Sequence, residues 1–406
     1  MKEPLIFTMP LPKLVNYTLI GYCAIQPALH HVMSFPDGYG RIIMLLVAMS
    51  VIFNIGNIDF RRQMTSGAVA AWFIWIIYNT ITTLHFGNPL NEAPDIFFFI
   101  FHYIFLPGYC LLVCQFETSK DPSKFITLLL VSLTLYVLIG LFLGSAEVNR
   151  TGRGWTELGN MMPLTAMSVV AIAAFANIIG KIKNSILYII LVLALMATFY
   201  VATRKALVGI AIIMIAYSIY KYDLLSPKKL PRFLFALILG YAIYFFVMNY
   251  TLVGDRFLHD ENNSSLYVTT DNNNLFFKLV GDRTQFYLVG TKVFIENNIW
   301  TGIGLMRFMD KANWDLPIHS EYVVQYCECG IIGLVIFFIF IYKVFKSYSS
   351  LKWYIGYKGV YTISLAWLIT YLFIGLTAWT YQFPFYFMVT GCFLGYDIFV
   401  KKHLLK

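Results

Sequence analysis

The chain has 406 residues, of which 59% are apolar, 18% aromatic and only 13% charged, with a mean hydropathy of +0.69. That charged share is about half the usual one for a soluble globular protein. A soluble enzyme, a disordered chain and a fibrous repeat are therefore excluded. The apolar residues recur in long blocks, as expected of an all-α polytopic membrane protein embedded in a lipid bilayer. The net charge of +9 sits mostly in short connections between blocks, with no basic stripe carrying interleaved aromatics, so no nucleic-acid partner is expected.

In chain order the blocks predict about twelve transmembrane helices, at 14–33, 41–57, 67–84, 96–115, 125–144, 162–180, 185–202, 204–220, 232–252, 320–345, 358–375 and 379–400. No small-residue cleavage site follows the first block, so it reads as a span and not as a signal peptide. The seventh and eighth blocks are separated only by Arg204 and Lys205, and one interrupted segment is the alternative reading there. A long loop, 253–318, is inserted before the last three spans of what reads as a single membrane domain, 1–406. Its first half, from Glu261 to the Asn run after Asp271, is polar and irregular. Between Arg283 and Asn298, Phe286, Val289, Val293 and Phe294 share a helical face, which predicts a helix at the outer membrane surface. Thr301-Gly302-Ile303-Gly304 ends that helix in a tight turn with close backbone approach.

Charge sets the orientation. With the N-terminus in the cytoplasm, 19 of the 30 Lys and Arg residues fall on the inner side, and only five fall in short outer loops. This bias predicts both termini inside. Sixteen of the inner residues are Lys, whereas Arg41, Arg150, Arg153, Arg204, Arg256, Arg283 and Arg307 lie outside. Topology needs only positive charge. A planar guanidinium is suited to gripping phosphate or carboxylate, so the outer arginines point to an anionic ligand, with ordinary surface ion pairs as the alternative. The six cysteines lack zinc-site spacing and read as small buried hydrophobes.

Three positions carry candidate chemistry. Arg204, in TRKALVGI (203–210), sits at the outer end of an apolar pair, where a charge beside hydrocarbon is costly and marks a functional site; Lys205 beside it reads as a snorkelling boundary residue. Arg283, in GDRTQFYLVGTKVF (281–294), stands at a helix start that the helix dipole disfavours for a cation. A bound diphosphate would be held there by free N–H groups and the guanidinium together, while a local pair with Asp282 is the alternative. His319-Ser320-Glu321 lies where the loop re-enters the membrane. An imidazole can take a proton from a sugar hydroxyl near neutral pH, and Glu321 could orient it or share that role; a structural histidine is the alternative. The chain holds no HExxH, GxSxG, Walker A or DxD motif, so metal-bound nucleotide-sugar chemistry is not expected. Trp155, Trp300, Trp314 and Trp379 could stack on sugars or form the interfacial aromatic belt.

Taken together, four segments resemble the bacterial O-antigen ligase and O-antigen polymerase family. They are TRKALVGI, GDRTQFYLVGTKVFIENNIWTGIG (281–304), IHSEYVVQYCECGIIG (318–333) and, more weakly, NRTGRGWTELGN (149–160). The match runs from about Asn149 to Leu334. Two departures stand out: Ser320 where Asn is frequent in the family, and a short stretch from Gly304 to His319. The short stretch favours a polymerase over a ligase. The resemblance implies a type-C glycosyltransferase fold and metal-independent transfer from a polyprenyl-diphosphate-linked oligosaccharide, with no cofactor. Arg204 and Arg283 would bind the diphosphate, and His319 would activate the acceptor hydroxyl with Glu321 as a second catalytic candidate. Gly302, Gly304, Arg150, Arg153 and Asn160 would shape the acceptor side. The implied setting is a bacterial inner membrane with the active site facing the periplasm, a flippase and a chain-length regulator being the implied partners. The expected function is thus a surface polysaccharide polymerase. The alternatives are a ligase acting on lipid A-core or protein, and a lipid-linked glycan flippase or other transporter, which should show mid-membrane charges and inverted repeats.

Overall fold

A computed structural model describes residues 9–33, 39–87, 96–143, 158–200, 203–223, 284–313, 318, 320–354, 356–378 and 380–404, with isolated positions between 228 and 250. The described chain is helical: α1 (Leu11–Met33), α2 (Tyr39–Ile55), α3 (Ile58–Met64), α4 (Gly67–Phe86), α5 (Ile96–Lys120), α6 (Pro122–Leu143), α7 (Leu158–Ile178), α8 (Asn184–Tyr200), α9 (Arg204–Tyr222), α10 (Thr284–Glu296), α11 (Phe308–Ala312), α12 (Gly330–Ser350), α13 (Lys358–Gly375) and α14 (Pro384–Leu404). Among the described residues seven helices are long and apolar enough to cross a membrane, or eight if α2 and α3, bent by 115°, form one span. The protein is therefore an all-α polytopic membrane protein. The twelve expected segments reduce to these seven or eight for identifiable reasons. Helix α8 has only 17 residues, α1 and α14 carry more polar residues, and 232–252 lies mostly outside the described residues.

The helix surfaces show which solvent they meet. On α4, Ile74, Ile77 and Ile81 are exposed on one side while Trp72, Trp75 and Asn79 are fully buried on the other. Large exposed aliphatics in a row suit lipid tails, which are as apolar as the side chains themselves. Helix α5 contains a π-helical stretch, Ile100–Phe105, closed by the Leu106 N–H on the Phe101 carbonyl. The cause lies one residue on: Pro107 has no N–H to give, so the ladder shifts register there.

The centre of the bundle is α14 lying along the second half of α5. Gly391 and Gly395, one turn apart, face the carbonyl groups of Leu111 and Gln115, and a methyl group at either glycine would collide with that backbone. Small residues at this spacing let two helices approach backbone to backbone, the main source of helix association in lipid. Residues Leu106 to Ser119 are all buried as a result.

Contacts at the helix ends sort the bundle into two poles. At one pole Lys13 pairs with Asp121 at 3.3 Å and Lys402 with Asp59 at 3.8 Å. There too Gly359, at the start of α13, packs on Ile178 and Tyr220 at the ends of α7 and α9. This pole gathers Lys13, Arg61, Arg62, Lys120, Lys124, Lys358, Lys401 and Lys402, all assigned to the inner side from the sequence. A buried polar chain lies just inside it. Tyr109 donates to Ser50 (2.9 Å), Ser50 to Asn16 (2.6 Å), and Asn16 to Glu117 (2.5 Å), tying α5, α2 and α1 together.

Two outcomes test this architecture. Gly395→Val should destabilise the detergent-solubilised protein by about 1–3 kcal/mol, as overpacking does. Gly56→Ala, where an added methyl meets nothing within 4 Å, should leave the melting temperature unchanged. Single cysteines at Lys124 and at Asn298 should be labelled by a membrane-impermeant maleimide from opposite faces of sealed vesicles; labelling from the same face would overturn the two-pole arrangement.

Candidate functional site

At the opposite pole the chain between α10 and α12 is held by its own backbone. Gly302, Gly304 and Gly330 have φ of 70°, 90° and 68°, a region that disfavours any residue with a Cβ. The Ile303 N–H donates to Cys327 O at 3.2 Å and the Gly304 N–H to Glu328 O at 2.9 Å. In return the Ile331 and Ile332 N–H groups donate to Ile299 O (2.9 Å) and Trp300 O (3.2 Å). These last two bonds satisfy the first turn of α12, whose N–H groups have no partner within their own helix. The crossing is so close that a methyl on Gly302 would strike the Glu328 and Gly330 backbone. The tight turn expected from Gly302 and Gly304 is present, and what approaches it closely is the chain's own re-entry segment.

That segment, a helical turn Glu321–Val323 running into a π-helical stretch Val324–Glu328, carries two fully buried carboxyl groups. Glu321 Oε2 accepts from the Thr380 N–H (2.5 Å), the Thr380 hydroxyl (3.0 Å) and the Tyr381 N–H (3.1 Å), while Oε1 accepts from Gln325 (2.7 Å). Gln325 in turn accepts from the Trp75 indole at 2.9 Å. Glu328 Oε2 accepts from the Met306 N–H (3.0 Å) and Oε1 from the Phe308 N–H (3.3 Å). Both carboxyls precede α12 and lie outside the spanning helices. Burial pushes Glu321 above the ordinary carboxylate range, partly offset by its donors. Burial, reinforced by the nearby Glu321 charge, pushes Glu328 up to about 8 against the pull of its backbone donors.

Helix α10 forms the wall of this pole. It was expected between Arg283 and Asn298, and it spans Thr284–Glu296 with Phe286 and Val293 buried. Its Tyr287 hydroxyl donates to Leu376 O at 3.0 Å and receives the Ser320 hydroxyl at 2.8 Å. Gly290 packs on Val323, and Phe294 meets Tyr326 edge-on at 5.7 Å.

The expected site residues are distributed as follows. Gly302, Gly304 and Glu321 meet in the assembly just described. His319 lies outside the described residues, but its neighbours Ile318 and Ser320 are both buried within it. Glu321, expected to orient or assist His319, accepts from Thr380, Tyr381 and Gln325 among the described residues, the α13–α14 turn presenting three of the four donors. Arg204 opens α9, and Asn160 lies in the first turn of α7. Five residues after Arg204, Gly209 packs on Thr370, which lies five residues before the end of α13 at Gly375; Gly375 in turn packs on Glu321. The Arg204 backbone is therefore level with Glu321. Helices α7 and α9 run in parallel, meeting at Met167 with Gly209 and again at Ile178 and Tyr220, so Asn160 belongs to the same pole. Arg150, Arg153 and Arg283 lie outside the described residues, as do Trp155, Trp314 and Trp379. Trp300 is 59% exposed at this pole.

Sequence reasoning missed Glu328 and gave Arg307 no individual role. Glu328 could have been found, because an acidic residue inside an apolar block is a functional-site flag. The Arg307 guanidinium lies against Gly87 at the end of α4, and its stem lies against Gly304. All six cysteines are free and buried, as expected. Among the described residues no three His, Cys, Asp or Glu side chains are grouped so as to hold a metal ion. In comparison with known proteins, the chain matches no protein-family model and no curated protein sequence.

The raised Glu328 carboxyl has a consequence for stability. A carboxyl above its unfolded value of 4.5 stays protonated when folded but ionises when unfolded. Its contribution is full below about pH 4.5 and is lost as pH rises to about 8. The melting temperature of wild type minus that of Glu328→Gln should therefore fall between pH 5 and pH 9. A pH-independent difference would contradict the burial-raised carboxyl.

Proposed function

We propose that this protein is a membrane glycosyltransferase that extends a surface polysaccharide. In this reading glycan is transferred from a polyprenyl-diphosphate-linked donor to a sugar hydroxyl of a lipid-linked repeat unit. The observation that carries the reading is convergence at one pole. The end of the long loop, the flanks of His319, the start of α9 at Arg204 and the start of α7 at Asn160 all come to the pole opposite the lysine-rich one. These are the segments whose order and spacing resemble the O-antigen polymerase and ligase family. The finer elements of the proposal are a type-C glycosyltransferase fold of about twelve spans, both termini in the cytoplasm of a bacterial cell and the site on the outer face of its inner membrane.

The chemistry follows from the residue types. His319 takes the proton from the acceptor hydroxyl as that oxygen bonds to the anomeric carbon of the donor sugar. The bond from that carbon to the diphosphate oxygen breaks, and the lipid diphosphate leaves with the electron pair. Guanidinium groups from Arg204 and Arg283, with Arg307 at the same pole, stabilise the charge that develops on it. Glu321 serves this scheme by holding the re-entry segment to the α13–α14 turn, leaving proton transfer to His319. The bilayer delivers the donor by lateral diffusion, which suits a site at one pole of a membrane bundle.

The test uses purified protein, a chemically defined polyprenyl-diphosphate repeat unit and gel analysis of products. Wild type should produce a ladder. His319→Ala and Arg283→Ala should each lower the rate by about a hundredfold or more. A single transfer seen only after lipid A-core or protein acceptor is added would identify a ligase. No transfer to any acceptor would remove the enzyme reading and favour a transporter.

A further inference from the structure

Of four buried carboxyls among the described residues, Asp397 is taken up by Lys401, Ser347 and Ser350, and the other three are told apart by their partners. Glu117, in the lysine-pole network, accepts one hydrogen bond, from Asn16, and its second oxygen has no partner among the described residues. Glu321 fastens two loops through side-chain and backbone donors. Glu328 differs from both, because each of its two oxygens is bound to a backbone N–H of one turn, Met306 on Oε2 and Phe308 on Oε1. The residue between those two donors is Arg307, whose own backbone N–H also bonds to this carboxyl.

We propose that Glu328 is a positioning residue for anion binding, its carboxyl clamping the Gly304–Phe308 turn so that Arg307 is aimed at the diphosphate of the lipid-linked donor. This rests on the glycosyltransferase reading above. The geometry makes the clamp specific to a carboxyl. Charged or neutral, a carboxyl keeps an acceptor lone pair on each oxygen, whereas a glutamine amide has one acceptor oxygen and turns an NH₂ toward the second N–H. Met306 has a φ of 60°, rare for a residue with a side chain, so this turn needs external hydrogen bonds to hold its shape. The turn has two other supports, one on its backbone and one on a side chain. Gly304 donates to Glu328 O, and the Gln382 amide reaches the Met306 sulfur at 3.3 Å. The clamp is buried from water, since Glu328 is 2% exposed and Phe308 1%. Glu321, Cys327 and Cys329 on the re-entry segment, Tyr381 on the α13–α14 turn and Arg307 on the clamped turn are the titratable and charged groups around it. Arg307 itself is only half-buried and lies beside Gly87, so its guanidinium is at the rim of this pole and not in its interior.

The experiment uses full-length protein in nanodiscs and undecaprenyl diphosphate as the probe. Two readouts are taken for wild type, Glu328→Gln, Arg307→Ala and the double variant: the Kd of the probe, and amide hydrogen exchange of the peptide covering residues 302–308. Glu328→Gln should speed exchange at Met306 and Phe308 about tenfold and raise Kd about tenfold, the loss of one buried hydrogen bond. If Glu328 acts through Arg307, the double variant binds no more weakly than Arg307→Ala alone. A carboxyl with a merely structural role would lower the melting temperature and leave Kd unchanged in the folded fraction. Should Glu328→Gln not fold, Gly304→Ala strains the same turn from its other side and should reproduce both effects. Exchange like that of wild type in Glu328→Gln, or costs in Kd that multiply in the double variant, overturns the proposal while the functional reading stands. Wild type that binds no lipid diphosphate defeats the functional reading, and the proposal with it, whatever the exchange shows.

Discussion

Two buried carboxyl groups, seven residues apart on the re-entry segment, organise the pole opposite the lysine-rich one. Glu321 and Glu328 draw their donors from different loops, one from the α13–α14 turn and the other from the Met306–Phe308 turn. A buried carboxyl without donors is costly, so each recruits backbone N–H groups that no helix uses. The loops are thereby fixed to one short stretch of chain. Helix α10, docked on that stretch through Tyr287 and Ser320, becomes a wall of the same assembly instead of a free surface helix. Removing either carboxyl would release a loop, which is why these residues matter more to the pole than their burial alone suggests.

The glycines complete what the carboxyls begin. Gly302, Gly304 and Gly330 adopt left-handed backbone, and at the Gly302–Gly330 crossing the absence of a Cβ lets loop carbonyls satisfy the first N–H groups of α12. A helix start normally offers free N–H groups to an anion. Here the start of α12 is already occupied, by the Ile299 and Trp300 carbonyls. At the other pole the chemistry is plainer: lysines pair with Asp59, Asp121 and Asp397, and the Gly391–Gly395 contact between α14 and α5 holds the bundle centre.

Much of this was legible in the order of residues. Apolar blocks declared a membrane protein, because lipid demands long apolar helices whose backbone is internally bonded. The periodicity of Phe286, Val289 and Val293 located α10 to within a residue or two, and the glycine spacing announced the turn after it. The lysine-bearing segments did come together at one pole, since charge cannot be distributed freely along a helix that crosses hydrocarbon. The number of clean spans was less legible, because composition does not reveal that α2 bends at Asn57 or that α8 stops at 17 residues.

The partners of polar groups were not legible at all. Glu321 stands two residues from His319 in sequence, and nothing local announces that it draws donors from Thr380 and Tyr381, some sixty residues later. Glu328 looked like one more residue of a span, and only folding showed that it caps a turn twenty residues upstream. Hydropathy and spacing are local properties, so the sequence settled that the chain enters the membrane, where its helices begin and which loops carry arginine. Hydrogen-bond partnership is a matter of which loops meet, and the packing of distant helices settled that: which carboxyl clamps which turn, and which loop stands beside which arginine.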